Sequence, residues 1–457
     1  MSTAPRSQQL ASWIAAVRIE DLPPAARRLL KLCILDHFGC ALGALDTEVA
    51  RAALTAAGLS GSGPCTVIGS KVRASAESAS LANGVLSHAL IFDDLHRQSK
   101  LHPGVTVIPA ALAAAELAGA DGARFLAGVA AGYETVARVG VAVGMAAHRA
   151  VGWRATGTCG SFGGAAAAAR VLGLDAERTH DAIAFAAAQA SGTWAFADGG
   201  GMELYLAAGT AARNGVVSAA LAHSGFRGAS DPLEARDGGF LNITSAEPKP
   251  ERLTHELGER LRLADTCIKM YPTCHSTQTA VDAVLNLRAR HGIPPERVER
   301  IEVRAGEITR IQCGWPFEPG PPSRMIFHLG YALALALVRG KLLPADFEGP
   351  SLHDPELVRI ARATQVVEDP ELTAIYEQKK PCDVTIVLRD GRAFRERVDY
   401  CRGEPENPPT EDAVVQKFRD LTAAHLSNDA ADRLIELVLE IERRPNLHPL
   451  TEVLCLS

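Results

Sequence analysis

The sequence is poor in aromatic side chains and has no block of basic residues. Phe, Trp and Tyr make up 5% of the 457 residues although 47% are hydrophobic, so Ala, Leu and Val carry most of the apolar content. This composition favours closely packed helices over a β-sandwich. With a net charge of −6 and no basic stretch, the chain is not expected to bind nucleic acid or an anionic membrane.

Long apolar runs and paired cysteines are also missing. No uninterrupted apolar segment reaches the ~20 residues that a membrane span needs, so we expect no membrane partner. The ten cysteines are scattered and include no CxxC pair, which argues against a structural zinc site and against an iron–sulfur hydro-lyase of the aconitase kind. Since the chain starts without a secretory signal, we expect reduced thiols in a cytoplasmic protein.

Three common catalytic motifs are absent as well. The chain contains no GxSxG nucleophile elbow, no P-loop and no HExxH helix. Any chemistry must therefore come from residues that are distant in sequence.

The pattern of apolar residues predicts a mainly α fold. Alanine-rich amphipathic stretches predict helices through most of the first 265 residues, the last of them over 253–261. Short alternating runs of Val and Ile then predict strands over 267–270, 298–304, 383–390 and 394–400, the last two joined at Asp390-Gly391. A helical tail over 414–443 follows. We therefore expect a large helical domain, residues 1–265 plus 401–457, with a smaller α+β domain inserted at 266–400.

One segment between two alanine-rich runs concentrates titratable groups. His88, His96 and His102 surround the acidic pair Asp93 and Asp94. Adjacent helical residues point about 100° apart, so the two aspartates are not expected to share one role. A metal site, or carboxylates that cap helices beside surface histidines, are the alternatives to an acid–base site here.

A second group of polar residues lies at the start of the inserted domain. Pro272 biases Tyr271 towards an extended backbone, in which Lys269 and Tyr271 point the same way. A lysine beside a tyrosine hydroxyl is a candidate acid–base pair, because burial lowers a lysine pKa towards neutrality. The alternative is a lysine whose stem packs on a structural tyrosine.

A glycine-rich stretch over 152–169 leads into a helix. Backbone N–H groups at such a helix start, at Gly157 and Thr158 for example, can bind an anion. Tight crossing of neighbouring helices is the alternative explanation for these glycines.

Several segments, taken in order, resemble the MmgE/PrpD family. They are HALIFDDLH (88–96), LHPGVTVIPAALAAAE (101–116), GTCGSFGGAAAAARVLGLD (157–175), AGTAARNGVVSAALA (208–222), IKMYPTCHSTQTAVDA (268–283) and VDYCRGEPENPPTEDAVVQKF (398–418). The resemblance implies a large helical domain with a smaller α+β lid domain, a homodimer, and a site in the cleft between the domains. It also implies action on a small di- or tricarboxylate substrate without a metal or organic cofactor.

The family's catalytic pattern is carried over only in part. The resemblance implies that His102, Lys269 and Asp93 are catalytic, with Tyr271 beside them, and that Asp94 is a further residue of the substrate site. Gly157, Thr158, His88 and His275 complete the expected substrate-binding set.

Five positions differ from the family pattern. Arg154 follows Gly152-Trp153 where the family has a histidine, and we expect it to bind a substrate carboxylate. Apolar residues stand at the other four positions where the family's dehydratases and decarboxylases are polar: Ile91, Leu95, Leu204 and Ala207.

These differences favour an epimerase of the iminodisuccinate type. Epimerisation needs only two proton-transferring groups beside one C–H, whereas loss of water needs a base and a separate acid. A methylcitrate dehydratase-like hydro-lyase or an aconitate decarboxylase-like lyase is the alternative, and a catalytically inactive family member is a third.

Overall fold

Alanine-rich and glycine-rich helices make up most of the protein, and the predicted mainly α fold class is confirmed. A computed structural model describes residues 4–196, 200–376 and 378–456. These residues divide into two compact units. The first contains the chain up to Ile268 and from Thr410 onward, and the second runs from Lys269 to Pro409.

The first unit is built from helices. They are Arg6–Ala16, Pro24–Gly43, Glu48–Leu59, Ala76–His88, Gly104–Ala118, Gly122–Ala142, Met145–Ala150, Ala155–Thr158, Gly160–Leu172, Ala176–Gln189, Glu203–His223, Phe240–Thr244, Glu411–Thr422, Asn428–Leu439 and His448–Leu454. Two short antiparallel pairs join them: β1 (Cys65–Thr66) with β2 (Arg73–Ala74), and β3 (Leu95–His96) with β4 (Thr266–Cys267).

Small residues let the central helices of this unit approach closely. A Cβ added to Gly215 would lie only 2.3 Å from the carbonyl carbon of Gly164, which is on a crossing helix. No real side chain tolerates that distance, so the glycines are required where the two helices touch. The scarcity of aromatic residues fits this packing, because Ala and Gly bring helix backbones together.

The chain from Thr410 returns to the first unit through a buried ion pair. Lys417 Nζ lies 2.5 Å from Asp36 Oδ1, and both side chains are buried. The same ammonium donates to the carbonyl oxygen of Phe92 at 2.7 Å. The C-terminal helices therefore support the segment that precedes Asp93.

The second unit contains a four-stranded sheet in the order β6-β5-β7-β8. Its strands are β5 (Val298–Ala305), β6 (Thr364–Glu368), β7 (Cys382–Leu388) and β8 (Ala393–Val398). β6 runs parallel to β5, and the other neighbours are antiparallel. The helices of this unit are Gln278–His291, Glu307–Cys313, Pro322–Met325, Leu329–Arg339, Pro355–Arg362 and Pro370–Ala374.

The hairpin predicted at Asp390-Gly391 is confirmed. It joins β7 to β8, and Gly391 has a φ of 83°, which glycine adopts without strain.

Three predicted elements are wrong. In place of the helix predicted over 253–261, Leu253 ends a short 3-10 helix and residues 254–259 form turns, because Glu256 and Gly258 have left-handed φ values of 55° and 85°. The strand expected at 267–270 is limited to β4. The tail expected at 414–443 is divided into separate helices, the second of which starts at Ser427, whose hydroxyl accepts from the N–H of Ala430.

Among the described residues, no helix combines the length and the apolar character that crossing a membrane requires.

Candidate active site

The segment from His88 to His102 forms the centre of a buried polar cluster in the first unit. His88 is the last residue of the Ala76–His88 helix, and the Gly104–Ala118 helix begins just after His102. Between them the backbone reverses at Ile91, which has a φ of 51°. This is a rare conformation for a β-branched residue, so the surrounding contacts must hold the turn in place.

Asp93 bridges two histidines with its two carboxylate oxygens. His88 Nδ1 lies 3.0 Å from Oδ1, and His102 Nδ1 lies 2.6 Å from Oδ2. The two imidazole rings meet edge to face, with their centroids 4.8 Å apart. The backbone N–H of His102 also donates to the hydroxyl of Thr156 at 3.3 Å. Both rings are therefore oriented by fixed partners.

The proton positions on these rings follow from the partner of His88. Arg154 NH2 lies 2.7 Å from His88 Nε2, and a guanidinium can only donate. His88 Nε2 therefore accepts, so its ring proton is on Nδ1 and is donated to Asp93. His102 Nδ1 lies 2.6 Å from the other oxygen of Asp93, an ion-pair distance. With a proton on Nδ1 facing that carboxylate, the basic lone pair of the neutral ring is on Nε2.

Burial and charge keep this cluster in defined protonation states. Burial lowers the pKa of His88 to about 3, so its ring is neutral. Burial alone would raise the pKa of Asp93, but the neighbouring imidazoles of His102 and His88 outweigh it and hold that pKa well below its usual range. Burial lowers the pKa of Arg154 to about 10, which leaves the guanidinium charged at neutral pH.

Arg154 is occupied within the protein. Besides His88, it donates from NH1 to the carbonyl oxygen of Leu204 at 2.7 Å, and its guanidinium lies 5.6 Å from the ring centre of Phe196. Arg154 therefore fixes the tautomer of His88 and supplies a buried positive charge. Its predicted direct bond to a substrate carboxylate stays a prediction.

Asp94 has a different role from Asp93. Its oxygens accept the backbone N–H of Gly104 at 2.9 Å and the hydroxyl of Tyr133. It thus caps the helix that follows His102, and burial raises its pKa to about 7. Both of its oxygens are bonded to the protein, which suits a residue that positions His102. Its predicted contact with substrate stays a prediction.

Tyr205 lies beside this cluster and is missing from the predicted set. Its ring centre is 6.3 Å from that of His88, and the side chain is buried. Burial raises the pKa of its phenol, so it stays protonated. The sequence feature that could have pointed to Tyr205 is its position directly after Leu204, one of the positions at which the chain differs from the family pattern.

Gly157 and Thr158 serve packing. A Cβ on Gly157 would lie 2.4 Å from the carbonyl oxygen of Ser191, and the Thr158 hydroxyl bonds to His148 Nε2 at 2.9 Å. These contacts agree with the alternative reading of the glycine-rich stretch, tight helix crossing. They do not support the predicted anion site at these two residues.

His96 belongs to the scaffold. Its Nε2 donates to the carbonyl oxygen of Arg262 at 3.1 Å and its Nδ1 lies 2.6 Å from the Ser99 hydroxyl, beside the β3–β4 pair.

The second unit holds Lys269, Tyr271 and His275. The Tyr271 hydroxyl donates to Asp282, and burial raises its pKa above the usual range, so it keeps its proton. A tyrosine that keeps its proton can act as an acid, and the catalytic role of Tyr271 beside Lys269 stays a prediction. His275 is buried, and its Nδ1 accepts from Lys380 Nζ at 3.0 Å. Lys269 is also buried.

The donor set of the first unit has the composition of a metal site. The ligand atoms of His88, Asp93 and His102 lie within 4.8 Å of one another. However, the Arg154 guanidinium already occupies His88 Nε2, and a neighbouring positive charge opposes cation binding. The arrangement fits a hydrogen-bonded acid–base group better than a metal centre.

The four apolar residues at altered positions are all buried. Ile91, Leu95, Leu204 and Ala207 are each less than a tenth exposed. They place hydrocarbon at positions where the sequence resemblance leads us to expect polar groups.

Comparison with known proteins agrees with the sequence resemblance. The MmgE/PrpD N-terminal domain matches residues 8–253, and the MmgE/PrpD C-terminal domain matches residues 271–443. Cis-aconitate decarboxylase of Aspergillus terreus is 28% identical over 98% of this chain and 95% of its own length. The Mus musculus protein of the same name is 24% identical over 98% of this chain and 93% of its length. 2-Methylcitrate dehydratase of Escherichia coli K12 is 26% identical over 63% of this chain and 62% of its length.

Proposed function

The chain belongs to the MmgE/PrpD family, and we propose that it is a lyase that transfers a proton at the carbon next to a carboxylate of a small tricarboxylic acid. The observation that carries this proposal is the ion-pair contact of 2.6 Å between Asp93 Oδ2 and His102 Nδ1 in a buried cluster. A carboxylate that holds one imidazole nitrogen directs the basic nitrogen of the ring towards a substrate.

His102 is proposed as the group that moves the proton. Neutral His102 accepts a proton on Nε2, and the ionised Asp93 stabilises the resulting imidazolium. In a dehydration His102 takes the proton as the base, and a separate acid must protonate the leaving hydroxide. In a decarboxylation no proton is abstracted, so His102 must start as the imidazolium, protonated from solvent, and give its proton to the carbanion left by loss of carbon dioxide.

The substrate class is proposed from charge and from the relatives. The Arg154 guanidinium is a buried cation beside His88, and it favours an anionic substrate through space even while its N–H groups are bonded to the protein. Two kinds of relative are named for reactions of small tricarboxylates, cis-aconitate and 2-methylcitrate.

An epimerase is the second candidate, and one observation favours it. Four buried positions that are polar in the family's dehydratases and decarboxylases hold Ile91, Leu95, Leu204 and Ala207. Fewer acids are then available for a leaving group, whereas inversion at one C–H needs only two proton-transferring groups.

Deuterium exchange distinguishes these functions. The purified protein, treated with a chelator, is incubated in deuterated buffer with citrate-, methylcitrate-, aconitate- and aspartate-like acids and followed by NMR. Formation of an unsaturated acid or loss of carbon dioxide supports a lyase, and exchange with inversion and no other product supports an epimerase. No exchange across these acids contradicts both.

Two alanine variants test the residues separately. His102→Ala should abolish exchange while the circular dichroism spectrum stays unchanged, and Lys269→Ala tests the predicted catalytic lysine of the second unit in the same way. His448→Ala is the control, since the side chain of His448 is 74% exposed. Full activity of His102→Ala contradicts the proposed site.

A further inference from the structure

One buried histidine of the second unit lies between a cation and a carboxylate. His275 begins a short 3-10 helix that leads into the Gln278–His291 helix. Lys380 Nζ lies 3.0 Å from its Nδ1, and Glu404 Oε1 lies 3.5 Å from its Nε2. The histidine and the glutamate are both buried. The three side chains therefore form a line, the Lys380–His275–Glu404 chain, in which one ring meets an ammonium at one nitrogen and a carboxylate at the other.

The proton position on the ring of His275 follows from Lys380. An ammonium can only donate, so Nδ1 accepts from Lys380 and the proton of the neutral ring is on Nε2. That nitrogen faces the Glu404 carboxylate and lies 4.0 Å from the Cys401 sulfur. The other oxygen of Glu404 accepts the backbone N–H of Cys401 at 3.1 Å. The ring is therefore oriented from both sides, and the backbone fixes the carboxylate that orients it.

The two ends of the chain differ in their exposure to solvent. The Glu404 carboxylate is buried, whereas Lys380 is partly exposed, with its Nζ 5.6 Å from the ring centre of Tyr376. The imidazole ring lies between the ammonium and the carboxylate and keeps them out of direct contact. An ammonium carries three N–H donors, and one of them is directed at His275. The accessible end of the chain is thus a positive charge with the capacity to bind a further acceptor.

We propose that Lys380 binds a carboxylate of the substrate and that Glu404 is a positioning residue, which acts on Lys380 through His275. This role rests on the proposed function, in which the substrate is a small tricarboxylic acid. Each carboxylate that leaves water needs charged or N–H donors in exchange. Arg154 donates to partners within the first unit, so a further cation is required, and an ammonium binds a carboxylate as a compact charge. His275 then contributes to substrate binding by orienting Lys380.

Lys379 is the matched control, since it directly precedes Lys380. Its ammonium donates to Asp399 Oδ1 at 3.1 Å and lies 5.5 Å from the ring centre of Tyr400. Because a carboxylate of the protein already accepts from this lysine, a substrate carboxylate gains little by approaching it. Two neighbouring lysines are therefore expected to differ, one binding the substrate and the other not.

Acetylation of the two lysines measures binding without turnover. The full-length His102→Ala variant is treated with a trace of acetic anhydride, with and without citrate or cis-aconitate, and the acetylated peptides are quantified by mass spectrometry. The tricarboxylate should slow the acetylation of Lys380 severalfold and leave that of Lys379 unchanged. With Glu404→Gln added, the same protection should need more tricarboxylate. Equal slowing of both lysines, or of neither, overturns the assignment.

This measurement separates the role of Lys380 from the proposed reaction. If the natural protein converts a tricarboxylate while Lys380 stays unprotected, the role of Lys380 is wrong and the lyase stands. If Lys380 is protected while the natural protein neither exchanges protons nor forms a product, the role of Lys380 stands and the lyase is wrong.

Steady-state kinetics test the positioning role of Glu404. Lys380→Met should raise KM by about 10- to 100-fold with little change in kcat, the loss expected when one charge-assisted hydrogen bond to the bound substrate is removed. Glu404→Gln should raise KM by a smaller factor and should add nothing in the Lys380→Met background, because Glu404 acts through Lys380. Lys379→Met should change neither constant. Additive effects of the two changes, or a loss confined to kcat, overturn the proposal.

Discussion

Asp93 holds two histidines at once, and its charge orients both of them. Asp93→Asn keeps the shape of the side chain but offers one oxygen where the carboxylate offers two. One histidine then loses its acceptor, and His102 can turn its basic nitrogen away from the substrate. We expect kcat to fall by about 10³- to 10⁴-fold with little change in KM, the size of loss seen when such a carboxylate becomes an amide.

Asp94→Asn is the matched control for that change, because Asp94 bonds to Gly104 and Tyr133 and to neither histidine. Its kcat should stay at least about tenfold above that of Asp93→Asn, since it lies outside the proton transfer itself. Equal losses in steady-state kinetics would show that Asp93 has no special role.

Ile91 offers a test of the missing acid. Asp tolerates a left-handed backbone better than a β-branched residue does, so the φ of 51° accepts Ile91→Asp. A carboxyl group two residues from Asp93 supplies an acid for a leaving group, and the turnover of a tricarboxylate to an unsaturated product should rise by at least about tenfold. Chromatography of the products measures it. Ile91→Asn adds no acid, so its turnover to the unsaturated product should not rise. An equal rise in both variants would show that the effect comes from relaxing the backbone at residue 91 and not from the carboxyl group.

The sequence brings forward the residues of the candidate cluster one by one, but not their contacts. His102 and Asp93 stand close together in a polar segment, so the sequence makes both of them candidates, and their catalytic roles stay predictions. The bond from Arg154 to His88 joins residues 66 positions apart, and only the folded chain brings them together. For the same reason the sequence predicts Arg154 as a ligand of a substrate carboxylate without indicating its bond to His88, and it does not point to Tyr205.

At the level of elements, the buried pair Asp36–Lys417 joins two helices that are far apart in sequence. Lys417→Met leaves an uncompensated carboxylate in the interior and should lower the free energy of unfolding by about 3–5 kcal/mol. Replacing both partners, Asp36→Leu with Lys417→Met, should restore most of the loss. Urea unfolding followed by circular dichroism measures both.

An exposed pair serves as the comparison. The side chains of Arg433 and Glu436 are about half exposed, so Arg433→Ala should change the stability by less than about 1 kcal/mol. If Lys417→Met lowers the free energy of unfolding by no more than Arg433→Ala does, the buried ion pair does not hold the two helices together.

Helices and hairpins were predictable because their signals are local. The hairpin at Asp390-Gly391 needs only a turn dipeptide between alternating runs. β6, in contrast, was missed because its parallel partner β5 is about sixty residues earlier and its own residues are half exposed. The prediction of a helix at 253–261 is wrong because Glu256 adopts a left-handed backbone conformation, which is uncommon for glutamate and which the residue type therefore does not indicate.

The whole molecule should lose stability in mild acid. Burial lowers the pKa of His37 and His88 to about 3 and that of His96 and His328 to about 4. A folded pKa below the unfolded value of about 6.5 means that the unfolded chain takes up protons first. The stability that these four histidines contribute by staying neutral is therefore fully present above about pH 6.5 and is lost as the pH falls towards 4.

His37 isolates one such contribution. Its ring nitrogens have no hydrogen-bond partner within the described part of the chain, so His37→Leu removes the titration without breaking a bond. Between about pH 6.5 and 5 the natural protein should lose about 2 kcal/mol relative to the variant. Urea unfolding at each pH gives the difference in free energy of unfolding between the natural protein and the variant. Asp94, whose raised pKa changes stability with pH in the opposite direction, is present in both proteins and cancels in this difference. An identical pH dependence in both proteins would contradict burial of a neutral His37.

The hydrogen bond from Lys417 to the carbonyl oxygen of Phe92 also determines when the first unit can finish folding during translation. A ribosome releases Asp36 and the segment around Asp93 early, then the whole second unit, and only afterwards the helix that carries Lys417. Until that helix emerges, the nascent chain has a carboxylate in its interior without a counter-ion and a loop without its last support. The first unit therefore cannot be completed during translation, and a message truncated before codon 417 yields a substrate for chaperones and proteases, not an enzyme.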